Sequence, residues 1–396
     1  MGHQPEKVPE LVLKKNKEFS LMRGHPWVYR DALKGTIPDY SAGTEVKVLS
    51  HKGLLLGIGF IDPESPILVR MVAGFASQSL QERVASQLCR AIKLRLDYFH
   101  DGVTTAYRLC NGEGDGIPGL VIDRYADAVC VQLYTTGLER YLSLIVSIVR
   151  EKIPKIRWIL QQDRIRRTKA QVVGLLFGSK LPEHIQFLEN GMTFRTDIVH
   201  GQKTGFFLDQ RDNRQLIRNI AKGCSVANVC GYTGAFSVAA AAGGATSSVT
   251  IDIAAPALRD AQENLKLNGY SLEKHTVQTM DMYEFLQGSG QAFDLMIVDP
   301  PSMAKSRKEV RNALRAYYRL NKAAISRVRN GGVLFTASCS SQVSRDDFLD
   351  TIREAIWKSG KTGHILHESA HALDHPIAAA HIEGRYLKGF LLQLTS

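Results

Sequence analysis

Cysteine is scarce in this 396-residue chain: Cys89, Cys110, Cys130, Cys224, Cys230 and Cys339 are all there is, with no CxxC pair and no His/Cys cluster at zinc-ligand spacing. Neither a disulfide framework nor a structural metal is expected, and a reducing compartment suits such a sequence. Long apolar runs are missing too. The most apolar stretch, residues 236–245, falls far short of the ~20 residues that span a bilayer, and the polar start MGHQPEKVPE lacks the apolar core of a secretion signal. Neither export nor membrane insertion is expected, which leaves the cytoplasm. Acidic residues are in deficit. Their 39 against 50 Lys and Arg leave a formal charge of +11, which favours a polyanionic partner, nucleic acid first of all. No internal repeat or low-complexity segment occurs, and 44% hydrophobic with 22% charged residues is ordinary globular usage. At roughly 150 residues per domain, the length allows two to three domains.

Short β-type runs, GTEVKVLS, GLLLGIGFID and PILVRMV, succeed one another between glycine, proline and polar turns, so residues 1–76 read as a small β-rich domain. From Gln78 to His100 apolar residues recur at helical spacing, predicting a linker helix. GLVIDRYADAVCVQLYTT predicts two strands about a turn at 124–127. A helical run at 138–152, the strand WILQQD and an Asn190-Gly191 hairpin follow, making residues 77–195 a central α+β domain. From residue 196 strands alternate with helices: CSVANVC, SSVTID, a strand near His275, FDLMIVD and GGVLFTASC. Alternation of this kind predicts parallel strands with helical crossovers, an α/β doubly wound, Rossmann-like sheet that binds ligands at the carboxyl ends of its strands. Basic residues concentrate twice. Lys155, Arg157, Arg164, Arg166, Arg167 and Lys169 form one cluster; in the second, between Lys305 and Arg329, Arg311, Arg315, Arg319 and Lys322 fall on one helix face beside Tyr317 and Tyr318.

The first strand of that sheet ends in VANVCGYTGAF, where Gly231 and Gly234 let the backbone approach a ligand before a helix begins. Twenty-one residues beyond Gly231, Asp252 closes SSVTID, where a carboxylate can accept both hydroxyl protons of a ribose. A nicotinamide cofactor calls for the tighter GxGxxG turn around a pyrophosphate; S-adenosylmethionine has no phosphate and tolerates this looser one. Read structurally, the glycines are a strand-to-helix turn and Asp252 a helix cap. Asp281, after the third strand, offers a carboxylate to an adenine amino group or an N-cap to the helix MYEFL. Asp299 closes FDLMIVD before two prolines that fix its loop, and burying a carboxylate there without a partner is costly. GGVLFTASCSS delivers Cys339 to the same edge. A thiolate added at carbon 6 of a pyrimidine makes carbon 5 an enamine carbon able to take a methyl group, which is why this chemistry demands cysteine. The other five cysteines read as small buried hydrophobes.

Taken together, HGQKTGFFLDQRDNR from His200, NVCGYTGAF from Asn228, VDPPS at Asp299, SCSS around Cys339 and DHPIAAAHIEGRYLKGF from Asp374 resemble the bacterial RlmI-type ribosomal RNA large-subunit cytosine-C5 methyltransferases. Order and spacing agree over nearly the whole chain, and LKKNKEFSLMRGHPWVY is similar to the PUA domain of that family. The resemblance implies a class I S-adenosylmethionine-dependent methyltransferase domain at 196–396, forming 5-methylcytosine in large-subunit (23S) ribosomal RNA gripped by the PUA-like and central domains. Position by position it implies Cys339 as nucleophile, Asp299 as the carboxylate beside the methyl group, and Asp252 and Asp281 as ribose and adenine contacts. It also implies cofactor binding by Asn228, Gly231, Tyr232, Thr233, Gly234, Gln210 and Arg211, with Arg211 pairing with the methionine carboxylate. Arg214, in the same motif, fits a solvated charged loop. Many cytosine-C5 enzymes carry a second cysteine where Ser302 stands; the RlmI-type branch does not.

Two rivals stay open. A methyltransferase acting on exocyclic amines needs no cysteine and typically places an aromatic residue directly after the Asp-Pro-Pro loop, where this chain has Ser302. A non-catalytic RNA-binding factor of ribosome assembly would keep both fold and charge. Uracil is as open as cytosine to thiolate addition, and the oligomeric state is open between monomer and homodimer.

Overall fold

The computed structural model describes residues 8–75, 77–163, 172–288 and 290–396. Its first sheet has five strands in the order Glu10–Val12, Glu45–Leu49, Leu55–Ile61, Ile67–Met71 and Trp27–Tyr29. In Glu45–Leu49, Val46 and Val48 are buried and their neighbours only half so, the period-two pattern of a strand with one face on a core. That core gathers Leu11, Leu13, Val28 and Val69. The linker helix, Leu80–Tyr98, begins at a capping box in which Ser79 and Glu82 each accept the other's backbone N–H. Its Leu80, Val84, Leu88 and Ile92 join the core of a second five-stranded sheet, ordered Val172–Phe177, Trp158–Asp163, Ala128–Leu133, Leu120–Tyr125, Ala106–Asn111. Asn190 and Gly191, at φ 51° and 77°, close the expected hairpin between Ile185–Glu189 and Met192–Thr196. Of the first basic cluster, Arg164, Arg166, Arg167 and Lys169 lie outside the described residues. Lys155 and Arg157 face Asp101 and Asp127 at 3.7 and 3.3 Å.

The third sheet carries the cavity described below. In chain order its strands are β1 (Ser225–Val229), β2 (Ser247–Asp252), β3 (His275–Thr279), β4 (Phe293–Val298), β5 (Val328–Ser338), β6 (Thr362–Ser369) and β7 (Lys388–Thr395), arranged 3-2-1-4-5-7-6. β1 to β5 run parallel, as their alternation with helices requires, and the continuous apolar run of β4 follows from burial on both faces. Leu295 and Ile297 pack with Phe236 and Phe335 on one side, while Met296 and Val298 pack with Tyr317 and Phe348 on the other. Two further strands that the sequence reading did not name extend the sheet, and β7 runs antiparallel to both β5 and β6. β6 escaped sequence reading because its residues are mostly exposed and carry little apolar alternation. No helix among the described residues is long and apolar enough to cross a membrane.

Buried charges stitch the sheets together. Arg211 forks onto Asp374 at 2.9 and 2.7 Å, and Asp374 also accepts the backbone N–H of Arg108, in the central sheet, at 2.7 Å. Arg95 forks from the linker helix onto Asp115 at 2.7 Å to each oxygen and donates to the Asp374 carbonyl at 2.8 Å. Arg211 and Asp374 are both essentially inaccessible to solvent. Removing one charge of such a pair strands the other, so Asp374→Asn should cost about 3–5 kcal/mol in denaturant unfolding. A loss below about 1 kcal/mol would mean that water or another carboxylate takes over Arg211.

Candidate active site

At the carboxyl ends of β1, β2, β4 and β5 lies a cavity of about 280 Å³. Of the residues singled out by sequence, Gln210, Gly231, Tyr232, Thr233, Asp252, Asp281, Asp299 and Cys339 line it. Arg211, Asn228 and Gly234 do not.

At one end the turn after β1 holds Cys230 and Tyr232 at φ 61° and 47°, a left-handed backbone that few non-glycine residues adopt. Gly231 and Gly234 both serve packing. A Cβ on Gly231 would collide with the Thr250 side chain, and Gly234, at φ 73°, sits where a Cβ would meet Ala261 at 2.8 Å. Asn228 lies beneath the turn, donating to Ser237 at 3.0 Å. Asp252 braces the turn, accepting the backbone N–H of Tyr232 and of Ala254, each at 2.9 Å, so it caps no helix directly. Asp281 does cap the helix Met282–Gln287, but through one oxygen, Oδ1, leaving the other for a ligand. Ile253, Met280 and Met282 add an apolar wall beside these two carboxylates, a surface suited to an adenosine.

Cys339 and Asp299 share the other end. Ser340 ties their loops together: its hydroxyl accepts the Met303 N–H at 2.9 Å and meets Ser302 and Tyr317 at 3.1 and 2.9 Å. Below them, the buried Lys388 ammonium donates to the Ser340 and Val343 carbonyls, fixing the turn after β5. The Cys339 thiol is half-buried and lies 3.9 Å from the Pro300 carbonyl. Burial, then the Asp299 charge, pushes it up to about 11, with Lys203 opposing. Asp299 accepts from Gln210 Nε2 at 2.9 Å, and burial, then the neighbouring Asp209 charge, raises it to about 7.

Sequence reading needs four corrections here. Arg211 does not face the cavity, because Asp374 takes its guanidinium. Arg214 is buried rather than solvated, forked onto Glu189 at 2.6 Å to each oxygen. Tyr317 points into the core to Ser338 and Ser340 instead of standing beside the basic stripe of its helix. Cys230 lines the cavity, although burial keeps its thiol protonated. Sequence reading also missed Lys203, Asp209 and Tyr386: Asp209 Oδ2 accepts from Lys203 Nζ at 2.6 Å and from the Tyr386 hydroxyl at 2.7 Å. All three stand inside motifs quoted above, but nothing in the sequence brings Tyr386 to Asp209. Away from the cavity, His25, His381 and Glu383 gather within metal-ligand reach of one another. There His25 Nδ1 accepts the Trp27 N–H, so its proton sits on Nε2, directed at Glu383.

Residues 135–361 match the model of a family described as S-adenosylmethionine-dependent methyltransferase, and residues 11–73 match a PUA-like domain. A ribosomal RNA large subunit methyltransferase of Deinococcus radiodurans is 35% identical, with all of both chains covered. Ribosomal RNA large subunit methyltransferase I of Shewanella denitrificans is 36% identical over 97% of this chain and 99% of its own. Among solved structures, a candidate S-adenosylmethionine-dependent methyltransferase from Streptococcus mutans aligns with a TM-score of 0.84 at 23% identity, over 97% of this chain and all of its own. A candidate methyltransferase complexed with SAH aligns at 0.86 and 24% identity, with the same coverage. At those identities the two structures establish the shared fold.

Asp299 gives the site a pH signature. Unfolded, it titrates in the ordinary carboxylate range near 4; folded, near 7, so between those limits only the folded chain keeps the proton and stability falls as pH rises. Asp299→Asn removes this penalty. The melting-temperature gain of the variant should grow from about pH 4 to pH 7 and level off above; a difference independent of pH would contradict the raised titration.

Proposed function

Since the chain belongs to the ribosomal RNA large subunit methyltransferases, S-adenosylmethionine-dependent enzymes with a PUA-like N-terminal domain, we propose that it makes 5-methylcytosine in large-subunit ribosomal RNA through a covalent bond from Cys339 to the base. The observation that carries this reading is Cys339 on the wall of the same cavity as Asp299 and Asp252. Asp252 and Asp281 would hold the ribose and adenine of the cofactor, with the 231–233 turn and Gln210 beside them. S-adenosylmethionine, when bound, supplies an electrophilic sulfonium methyl.

The target cytosine leaves the RNA stack to enter the cavity. In its acid form Asp299 donates to N3 and at the same time lacks the charge that, after burial, most opposes thiolate formation at Cys339. Cys339 gives up its thiol proton and adds to carbon 6, and carbon 5 takes the methyl group, whose bond to the cofactor sulfur would break as the new carbon–carbon bond forms. The carbon 5 proton passes to a base, and the carbon–sulfur bond breaks to return the thiolate. Residues 1–76 and 77–195 are assigned to gripping RNA and 196–396 to the chemistry, work that belongs in the cytoplasm, where ribosomal RNA is processed. Arg311, Arg315, Arg319 and Lys322 are exposed along the helix Val310–Ser326, and none has a carboxylate partner among the described residues, as a phosphate-binding stripe requires.

Two measurements test this reading. Cys339→Ala should lower 5-methylcytidine formation in large-subunit RNA by roughly 1000-fold or more while cofactor and RNA binding persist. Unchanged turnover would favour an exocyclic amine as acceptor. Reversing Arg315 and Arg319 to Glu should flatten the slope of log affinity against log salt by at least roughly one unit; an unchanged slope removes the stripe from the RNA path.

A further inference from the structure

Among the described residues that line the cavity, two carry a buried side-chain oxygen without a hydrogen-bond partner, Thr233 Oγ1 and Asp209 Oδ1, and only the second belongs to a carboxylate. Asp209 is 2% exposed, and its Oδ2 is taken by Lys203 and Tyr386, yet its Oδ1 has no hydrogen-bond donor. A buried carboxylate oxygen in that state is costly unless a ligand brings the missing N–H. Asp209 lines the same cavity as Asp299 and Cys339, and its charge is felt by both.

Resting on the reading above, we propose that Asp209 accepts a hydrogen bond from the 4-amino group of the target base, so that Asp209 and Asp299 together select cytosine over uracil. The two carboxyls differ in what they can do. Burial would raise Asp209, but the Lys203 ammonium overrides it and holds the group well below its ordinary value, leaving an acceptor only. Asp299 keeps its proton to near neutrality and can donate. Cytosine offers an acceptor at N3 and a donor at its 4-amino group, the complement of that pair. Uracil offers a donor at N3 and an acceptor at its 4-carbonyl, which sets oxygen against oxygen at Asp209. Sites that hydrogen-bond a substrate group in this way discriminate strongly, because the wrong substrate leaves buried polar atoms unpaired. The ammonium of S-adenosylmethionine is a second N–H donor that could fill Oδ1, and the test separates the two.

The experiment compares the whole protein with Asp209→Asn on large-subunit ribosomal RNA from cells lacking this protein. 5-Methylcytidine and 5-methyluridine are read by mass spectrometry, on the natural RNA and on RNA carrying uridine at the methylated position. Cofactor affinity is measured alongside by calorimetry. The proposal expects Asp209→Asn to lower the cytidine-to-uridine methylation ratio by at least about 100-fold while cofactor affinity stays within about threefold. An unchanged ratio overturns it. A cofactor affinity weakened tenfold or more, with the ratio intact, overturns it in favour of the ammonium. No 5-methylcytidine from the unsubstituted protein would instead overturn the parent reading. Should Asp209→Asn not fold, the amino group is removed from the substrate: RNA with 2-pyrimidinone at the target should bind Cys339→Ala at least tenfold more weakly than cytidine RNA. Equal binding overturns the proposal.

Discussion

Buried arginine–carboxylate pairs hold the cavity in shape. Arg211 on Asp374 and Arg214 on Glu189 both lie on the helix Arg211–Ile220, directly after the turn Leu208–Gln210 that presents Asp209 and Gln210. Such pairs contribute little net stability against well-packed apolar groups, since desolvating two charges offsets most of their attraction. What they supply is orientation. A planar guanidinium forked onto a carboxylate accepts one geometry, and two such forks on one helix turn prevent the preceding turn from rotating. Because Asp374 also binds the backbone of Arg108, the cavity wall is referenced to the central sheet as well as to its own.

Within that frame the cavity keeps two carboxyls in opposite states. Asp209 has a lysine and a tyrosine hydroxyl at one oxygen and stays ionised; Asp299 has an uncharged amide and a negative neighbour, and burial raises it. The second state follows partly from the first, since the Asp209 charge is among the causes that lift Asp299. The Cys339 thiol is subject to the same field. Its ionisation is opposed by both carboxylates and eased by Lys203, so protonating Asp299 and deprotonating Cys339 are favoured together. An acid and a nucleophile arranged in this way suit addition to a ring that must be protonated on one side while it is attacked on another.

The central sheet shares a buried apolar cluster with the third, Tyr125, Cys130 and Leu160 packing with Val238, Ala239 and Leu265, and polar contacts tie the N-terminal sheet to both. Trp27 donates its indole N–H to Glu113 at 2.9 Å, and His25 reaches Glu383 at 3.5 Å near the far end of the chain. A +11 chain with an exposed row of arginines on Val310–Ser326 presents the charge that an RNA backbone recognises.

Much of this was legible in the sequence. Strand and helix periodicity and the Asn190-Gly191 turn are set by residues near one another in the chain, and so are the strand ends that deliver Asp252, Asp299 and Cys339 to one edge. Side-chain identity and spacing determined those features, because dihedral preference and burial periodicity act over a few residues. The sequence did not reveal which charges face the cavity. Arg211 looks like a ligand-binding cation and Arg214 like a solvated one until Asp374 and Glu189 are seen to occupy them. Asp209 looks like one more loop carboxylate until Tyr386 closes on one of its oxygens and leaves the other bare. Only the tertiary structure decided these, because electrostatic roles depend on distances of a few ångströms between residues that the chain itself keeps far apart.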